Sequence, residues 1–409
     1  MATSRSPVPL HCARGDARCN GARLVRALEA AGVPGPFFLY GSEASVSLCA
    51  GARERLSPGR EDRGDVWGRV KTFLAAHHDR HVFGFFGFDL NGGPGDARAS
   101  PFPDCWLGVA DLALLVGPSS WTALGAVPVL TDVPACTCGD RPVHYAAGLD
   151  RSRPDEYRRT VEAALAWVGG DPRKRMTVAR RLSLPSVDML RSVSCIPSAC
   201  DHSRSFYLDL GELGLTGQCP EVLMVGDREG FVSYKLSGTF PRSDDPAADD
   251  VLRRQFQVDP KNLAEHANSA ASFGMALSGL GAVTSTGPEV LDLRQLRHLM
   301  TRFQVAYSTG CGVADGIRAV LPLGVAPAAG GYHALMAAEA GARGPFYGLV
   351  GLIEPGGAVS MTQVLRTVYR AQDEFYSWVG AAVTSQSTPD GEWTETMIKL
   401  GEVGLILAD

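Results

Sequence analysis

The sequence predicts an α+β protein built on large antiparallel sheets. Two series of apolar runs joined by tight turns carry that prediction. E-V-L-M-V-G and F-V-S-Y-K-L (221–226 and 231–236) flank the turn D-R-E-G. F-Y-G-L-V-G-L-I, A-V-S-M-T-Q-V-L-R-T-V-Y-R and E-F-Y-S-W-V-G-A-A-V-T (346–384) are linked by E-P-G-G and A-Q-D. Strands joined by turns this short pair antiparallel, because a parallel pair needs a crossover of about a dozen residues or more. The third observation is a helix opened by Pro154 and Asp155. Tyr157, Val161, Ala164, Leu165 and Val168 keep helical spacing in it until Gly169-Gly170.

Taken in order, the first twenty residues, rich in Arg, Pro and Gly, read as a poorly ordered arm ahead of one domain over 21–409. Pro36 to Leu48 reads as a strand pair and V-F-G-F-F-G-F-D-L (82–90) as a buried strand. Pro134 to Pro154, with Cys, Gly, Asp and Pro and no long periodicity, connects the N-terminal strands (36–150) to the second half (151–409). There the basic knot Arg173-Lys174-Arg175 leads into the strand M-T-V-A-R-R-L-S-L.

With 409 residues, 45% of them hydrophobic, the chain can bury a substantial core. A net charge of −5 made of interspersed signs points away from a nucleic-acid surface and toward small-molecule work. No apolar run reaches spanning length, so no membrane role is expected. Ten cysteines diluted over the chain, with no signal-like start, read as reduced cytoplasmic thiols, and Cys136 with Cys138 as a loop pair.

Two helices concentrate the chemistry. The last, from Pro389, sets Glu392, Glu395 and Lys399 at i, i+3 and i+7, with Trp393, Met397 and Leu400 on another face. The helix dipole and a divalent cation would both ease the repulsion of two carboxylates pointing the same way; a solvated acidic turn is the plainer explanation. The helix after Pro260 carries a small-residue packing stripe of Leu263, Ala267, Ala270, Gly274 and Leu277, with Glu265 and His266 beside it.

Five motifs follow one another in a specific order. C-P-E-V-L-M-V (219–225), K-L-S-G-T-F-P-R (235–242), K-N-L-A-E-H (261–266), V-L-R-T-V-Y (364–369) and G-A-A-V-T-S-Q-S-T-P-D-G-E-W-T-E-T-M-I-K-L (380–400) resemble those of the chorismate-utilising enzymes, among them isochorismate, salicylate and anthranilate synthases. The resemblance runs from about Pro154 to Ile406 and more loosely over the N-terminal strands. It implies a sandwich of large antiparallel sheets with outer helices and a central cleft. It also implies a Mg²⁺ cofactor, a chorismate-like substrate and, for ammonia-using members, a separate amidotransferase subunit.

Carried over by position, Glu265 resembles the glutamate that acts as general acid at the C4 hydroxyl or sits close to Mg²⁺, and Glu392 and Glu395 the Mg²⁺-binding pair. Arg366 resembles the carboxylate-binding arginine, a role that suits its bidentate fork. Tyr347, Gly238, Thr239, Gly380 and Lys399 fall at substrate-pocket positions. Where isochorismate- and salicylate-forming members place a water-activating lysine, this chain has Arg175, a poor base, with Lys174 adjacent as the fallback catalytic group. A one-residue step along a strand turns Lys174 to the opposite face. The loop lysine is missing from Pro327-Ala-Ala-Gly-Gly331, a further histidine is read as exchanged for Tyr307, and Ser237 stands where aminodeoxychorismate-forming members carry a lysine. Isochorismate formation, with or without elimination to salicylate, is the first reading. Ammonia addition giving aminodeoxyisochorismate or anthranilate is the second, and a diverged paralogue acting on another cyclic carboxylate or lacking catalysis is the third.

Overall fold

The computed structural model describes residues 10, 15–58, 64–91, 100–124, 128, 130, 133–135, 154–195, 200–294, 296–328, 330–339 and 341–404. In its first half, α1 (Ala17–Ala30) precedes β1 (Phe37–Gly41), β2 (Val46–Ala50) and β3 (Arg55–Leu56). α2 (Val66–Ala76), β4 (Val82–Phe86), β5 (Cys105–Val109), β6 (Leu112–Val116) and β7 (Trp121–Ala123) follow. The second half opens with α3 (Pro154–Val168), β8 (Arg175–Leu184), α4 (Met189–Cys195), β9 (Arg204–Asp209) and β10 (Leu213–Cys219). Next come β11 (Val222–Gly226), β12 (Gly230–Pro241), α5 (Pro246–Val258), α6 (Pro260–Ser278), β13 (Gly281–Asp292) and β14 (Leu296–Tyr307). It ends with α7 (Val313–Val320), β15 (Val325–Ala326), α8 (Gly331–Ala338), β16 (Leu349–Ile353), β17 (Val359–Gln363), β18 (Thr367–Ala371), β19 (Glu374–Val383) and α9 (Pro389–Gly404).

The strands form a ten-stranded sheet, β15-β8-β19-β18-β10-β9-β1-β2-β6-β7, and a nine-stranded sheet, β13-β14-β12-β11-β17-β16-β4-β5-β3. Strand alternation decides what each face meets. Phe38, Phe206, Leu208 and Tyr369 of the first sheet pack against Phe83, Phe85, Val350 and Leu352 of the second. On its outer face the nine-stranded sheet carries α2, α6 and α7 through Val70, Leu277 and Ile317. The ten-stranded sheet is covered by α1 and α4 at Leu24, Leu28 and Leu190, and by α3 and α8 at Tyr157, Val161 and Leu335. The expected antiparallel sandwich with outer helices is therefore the fold. No helix among the described residues is long and apolar enough to cross a membrane.

Several expectations need correction. The N-terminal arm overlaps α1: Ala17 to Asn20 are helical and buried, with Asp16 capping the helix by accepting from Arg18 N. V-F-G-F-F-G-F-D-L is not one strand. β4 stops at Phe86; Gly87 N donates to Asp104 O at 2.7 Å, where a side chain would press within 2.8 Å of that oxygen, and Phe88–Asn91 then turns into a 3₁₀ helix. A-V-S-M-T-Q-V-L-R-T-V-Y-R splits into β17 and β18, which belong to different sheets. On α6 the buried positions are Asn262, His266, Ser269 and Leu277, so the packed face is largely polar rather than the small-residue stripe. Cys136, Cys138 and most of the connection before Pro154 lie outside the described residues.

Candidate active site

The chain passes between the sheets at Cys219-Pro220-Glu221 and again at Val364-Leu365-Arg366. The crossings are tied together, since Gln363 N and Thr362 Oγ1 donate to Glu221 O at 3.0 and 2.9 Å. A bulge in β12 between Ser237 and Phe240 lies beside them. These irregularities open a cleft, walled further by β8, β19, α6 and α9. Backbone strain collects there: Tyr347 and Arg366 hold φ of 67° and 50°, which non-glycine residues adopt mostly where the surroundings impose it. Gly238 has φ of 71° and approaches Asn262 so closely that a Cβ would lie 3.1 Å from its Oδ1, so only glycine fits without strain.

One end of the cleft is acidic. Asp259 caps α6 by accepting from Asn262 N at 2.8 Å, and Asn262 Oδ1 accepts from Thr239 N at 3.0 Å, which fastens the helix to the bulge. Glu265, one turn on, accepts from Gly238 N at 3.4 Å and opens onto the cleft beside Glu395 and Lys399 of α9. Burial, then the Glu395 charge, raises the Glu265 pKa. Glu392 sits behind the cleft wall on the buried face of α9 with Thr396 and Leu400, while Met397, expected on an apolar face, is exposed. Burial, with Glu395 next, pushes its carboxyl up to about 7. Its Oε2 is buried without a hydrogen-bond partner among the described residues. Lys399 Nζ donates to Glu395 Oε1 at 2.7 Å and to Gly380 O at 3.1 Å. Glu265, Glu392 and Glu395 are the oxygen donors available to a divalent cation. As they stand, no three His, Cys, Asp or Glu side chains among the described residues converge into a metal-holding group.

The other end is basic. Arg366 Nη2 donates to His298 Nε2 at 3.3 Å, and His298 Nδ1 donates to Gly238 O at 2.6 Å. That tautomer follows from burial and the neighbouring Arg366, which bring the His298 pKa down to about 3 and keep the ring neutral. Lys235 of β12 forms an ion pair with Glu221, and both line the cleft. Phe346 and Trp378, stacked at 5.7 Å, make an apolar wall between the two ends.

All six substrate-pocket positions expected from the sequence line this cleft, Arg366, Tyr347, Gly238, Thr239, Gly380 and Lys399, together with Glu265, Glu395 and Arg175. Lys174 does not. Strand alternation turns it outward, where Nζ donates to Trp167 O at 3.0 Å and lies over the Trp167 ring at 4.8 Å. Arg175 faces inward, and its Nε is buried without a hydrogen-bond partner among the described residues, a donor that suits an anionic or carbonyl ligand. Tyr307 is also corrected. It packs against Phe231 in the core under the nine-stranded sheet, and the cleft histidine is His298, nine residues earlier on β14. Pro327 and Ala328 are exposed. Glu221, Lys235 and His298 were missed as site residues. The first two stand inside motifs already quoted, and His298 had only its position in an apolar strand as a signal.

Residues 34–403 match the chorismate binding enzymes, and the chain belongs to that family. It is 31% identical to anthranilate synthase component 1 of Haloarcula marismortui over 262 residues, 60% of this chain and 52% of the relative. It is 27% identical to salicylate synthase of Mycolicibacterium paratuberculosis over 256 residues, 60% of this chain and 57% of the relative. The chain thus spans a little over half the length of these relatives. Its fold superposes on the menaquinone-specific isochorismate synthase of Escherichia coli with a TM-score of 0.73 at 16% identity, covering 98% of this chain and 94% of that one. For anthranilate synthase component I of Streptococcus pneumoniae the TM-score is 0.66 at 16% identity, covering 91% of each chain.

Proposed function

We propose that the chain is a Mg²⁺-dependent enzyme that adds ammonia to C2 of chorismate, giving aminodeoxyisochorismate, with the ammonia delivered by a separate amidotransferase. The observation that carries the choice of nucleophile is the inward orientation of Arg175 with Lys174 turned away. A guanidinium keeps its proton and cannot deprotonate water. Its charge does exclude ammonium while admitting neutral ammonia, which is already a nucleophile. Isochorismate, the first reading of the sequence, needs a water-activating base that this position lacks.

Glu265, Glu392 and Glu395 suit Mg²⁺ by donor chemistry: all are oxygen ligands, one carries an unpartnered buried oxygen, and two have raised pKa values that a cation would reverse. When bound, the ion supplies positive charge that holds and polarises the ring carboxylate. Arg366, oriented by His298, anchors the other carboxylate through its planar fork. Phe346 and Trp378 exclude water from the ring faces. Attack at C2 shifts the ring double bonds and expels the C4 hydroxyl as water once it receives a proton.

Incubating the purified chain with chorismate and Mg²⁺, with and without ammonium, and weighing the products tests this reading. An amino product that grows with free ammonia supports it. Equal yields of isochorismate or salicylate in both conditions, or no consumption of chorismate, would overturn it.

A further inference from the structure

We propose that Tyr157 is the positioning residue for Glu392, its hydroxyl donating to that carboxylate when the chain holds a divalent cation. The inference rests on the cation reading given above and adds an outer partner to it. Tyr157 Oη on α3 and Glu392 Oε2 on α9 are both buried without a hydrogen-bond partner among the described residues. The two residues are 2% and 1% exposed. Buried polar atoms are nearly always paired, so an orphaned donor and an orphaned acceptor on two helices in contact need a reason.

The packing of α3 on α9 brings these residues into one cluster. On the outside, Arg158 Nη2 lies 2.7 Å from Asp390 Oδ1. On the inside, the Tyr157 ring lies 6.1 Å from the Trp393 ring. Arg158 follows Tyr157 in the chain, and Asp390 and Trp393 stand on either side of Glu392, so the two contacts bracket the pair. The Arg180 guanidinium of β8 covers the cluster, 4.1 Å over Trp393 and 5.9 Å over Tyr157. Its Nε donates to Thr396 Oγ1 at 3.2 Å, one turn beyond Glu392 on the same face of α9. From α6, Lys261 Nζ approaches the other oxygen, Glu392 Oε1, no nearer than 4.0 Å. Burial first, then the charges of Glu392 and Glu395, hold the Tyr157 hydroxyl well above its usual pKa, so it stays a donor. A carboxylate that ligates a cation is ordinarily steered by a hydrogen bond from outside the ligand shell, and Tyr157 is the donor in place for it. In the cation-free chain the same residue serves as a packed ring whose oxygen makes no bond.

The test compares wild type with Tyr157→Phe, using Mn²⁺ as the probe. Its affinity is read by calorimetry and by loss of the free-ion paramagnetic resonance signal, and melting temperatures are measured with and without Mn²⁺. The substitution keeps the ring and removes only the unpartnered hydroxyl, so the metal-free melting temperature should equal or exceed that of wild type. Mn²⁺ affinity should fall about 10- to 100-fold, and the rise in melting temperature on adding Mn²⁺ should shrink with it. Unchanged Mn²⁺ affinity in Tyr157→Phe overturns the proposal. A Tyr157→Phe chain that is unfolded, or clearly less stable than wild type without metal, overturns it as well, because the hydroxyl would then be supporting the metal-free core. A wild-type chain that binds no Mn²⁺ would instead sink the cation reading, and this proposal with it, whatever the chain does with chorismate.

Discussion

Arg343 and Glu339 offer a perturbation whose size follows from the structure. Their side chains are 0% and 2% exposed. Arg343 Nε and Nη2 reach Glu339 Oε2 and Oε1 at 2.8 and 2.5 Å, and Nη2 also donates to Thr177 O at 2.5 Å. Glu339 Oε1 accepts from Ala179 N at 2.7 Å. The pair therefore clamps β8 two and four residues beyond Arg175, and the guanidinium lies 4.4 Å over Phe88 as well. Arg343→Leu strands a buried carboxylate and should cost about 3–5 kcal/mol, and Glu339→Leu strands a buried guanidinium at a similar cost. The double Leu variant should recover most of that loss, costing about 1 kcal/mol, so a double-mutant cycle by urea unfolding should give a coupling of roughly 5 kcal/mol or more. Recovered stability should not bring recovered turnover. β8 has lost its clamp, and displacing Arg175 by about 1 Å is enough to cost up to roughly 100-fold in rate. Additive stability losses, or a double variant with wild-type kcat, would refute the argument.

Arg366→Lys replaces a planar fork with a point charge and removes the donor to His298 Nε2; KM for chorismate should rise about 10- to 100-fold with the melting temperature little changed. The Glu392 carboxyl, raised from 4.5 to about 7, destabilises the metal-free protein as it ionises. Stability should therefore fall as pH rises from about 4.5 through 7, the Glu392 share being on the order of 3 kcal/mol, and Glu392→Gln should remove that share while leaving the smaller fall from Glu265. Mg²⁺ should raise the wild-type melting temperature more at pH 8 than at pH 5, and a pH-independent response would remove Glu392 from the cation site. Arg175→Lys places an amine where the guanidinium sits and should yield isochorismate without ammonium, detectable by product mass; no gain over wild type would count against the role given to Arg175.

The hairpins and α3 were legible because alternation and helical spacing are local properties that packing reinforced. The helices bearing Glu265, Glu392 and Glu395 were legible for the same reason, together with the order of the motifs. What failed was set by distant contacts. The run from Ala358 to Arg370 contains no Gly, Pro, Asn or Asp to signal a break, and the positive φ where it passes between the sheets falls on Arg366, a residue type that does not announce it. On α6, Asn262 and His266 are buried because the bulge supplies partners: Thr239 N for Asn262, and Ser237 Oγ for His266 Nδ1 at 2.9 Å. A stripe of small apolar residues could not reveal that. His298 and Tyr307 lie on one strand, and spacing along the chain does not say which of them meets a cleft formed by other strands.

The same irregularities explain why the chemistry sits where it does. Regular strands spend their polar backbone groups on neighbours, whereas the crossings at Glu221 and Arg366 and the bulge at Gly238 release them. Gly238 uses both of its groups, N–H toward Glu265 and C=O toward His298, and so joins the acidic end of the cleft to the basic end through one residue. Oxygen donors for a cation collect on the helix side, and the side chains of Lys235 and Arg366 on the crossing side. In the proposed reaction that separation would let a ring be held at one carboxylate by a cation and at the other by Arg366, without the two positive charges meeting. Arg175 stands near the acidic end with its Nε unpartnered among the described residues, so in the proposed reaction the choice of nucleophile would depend on the same short stretch of β8 that Arg343 and Glu339 hold in place.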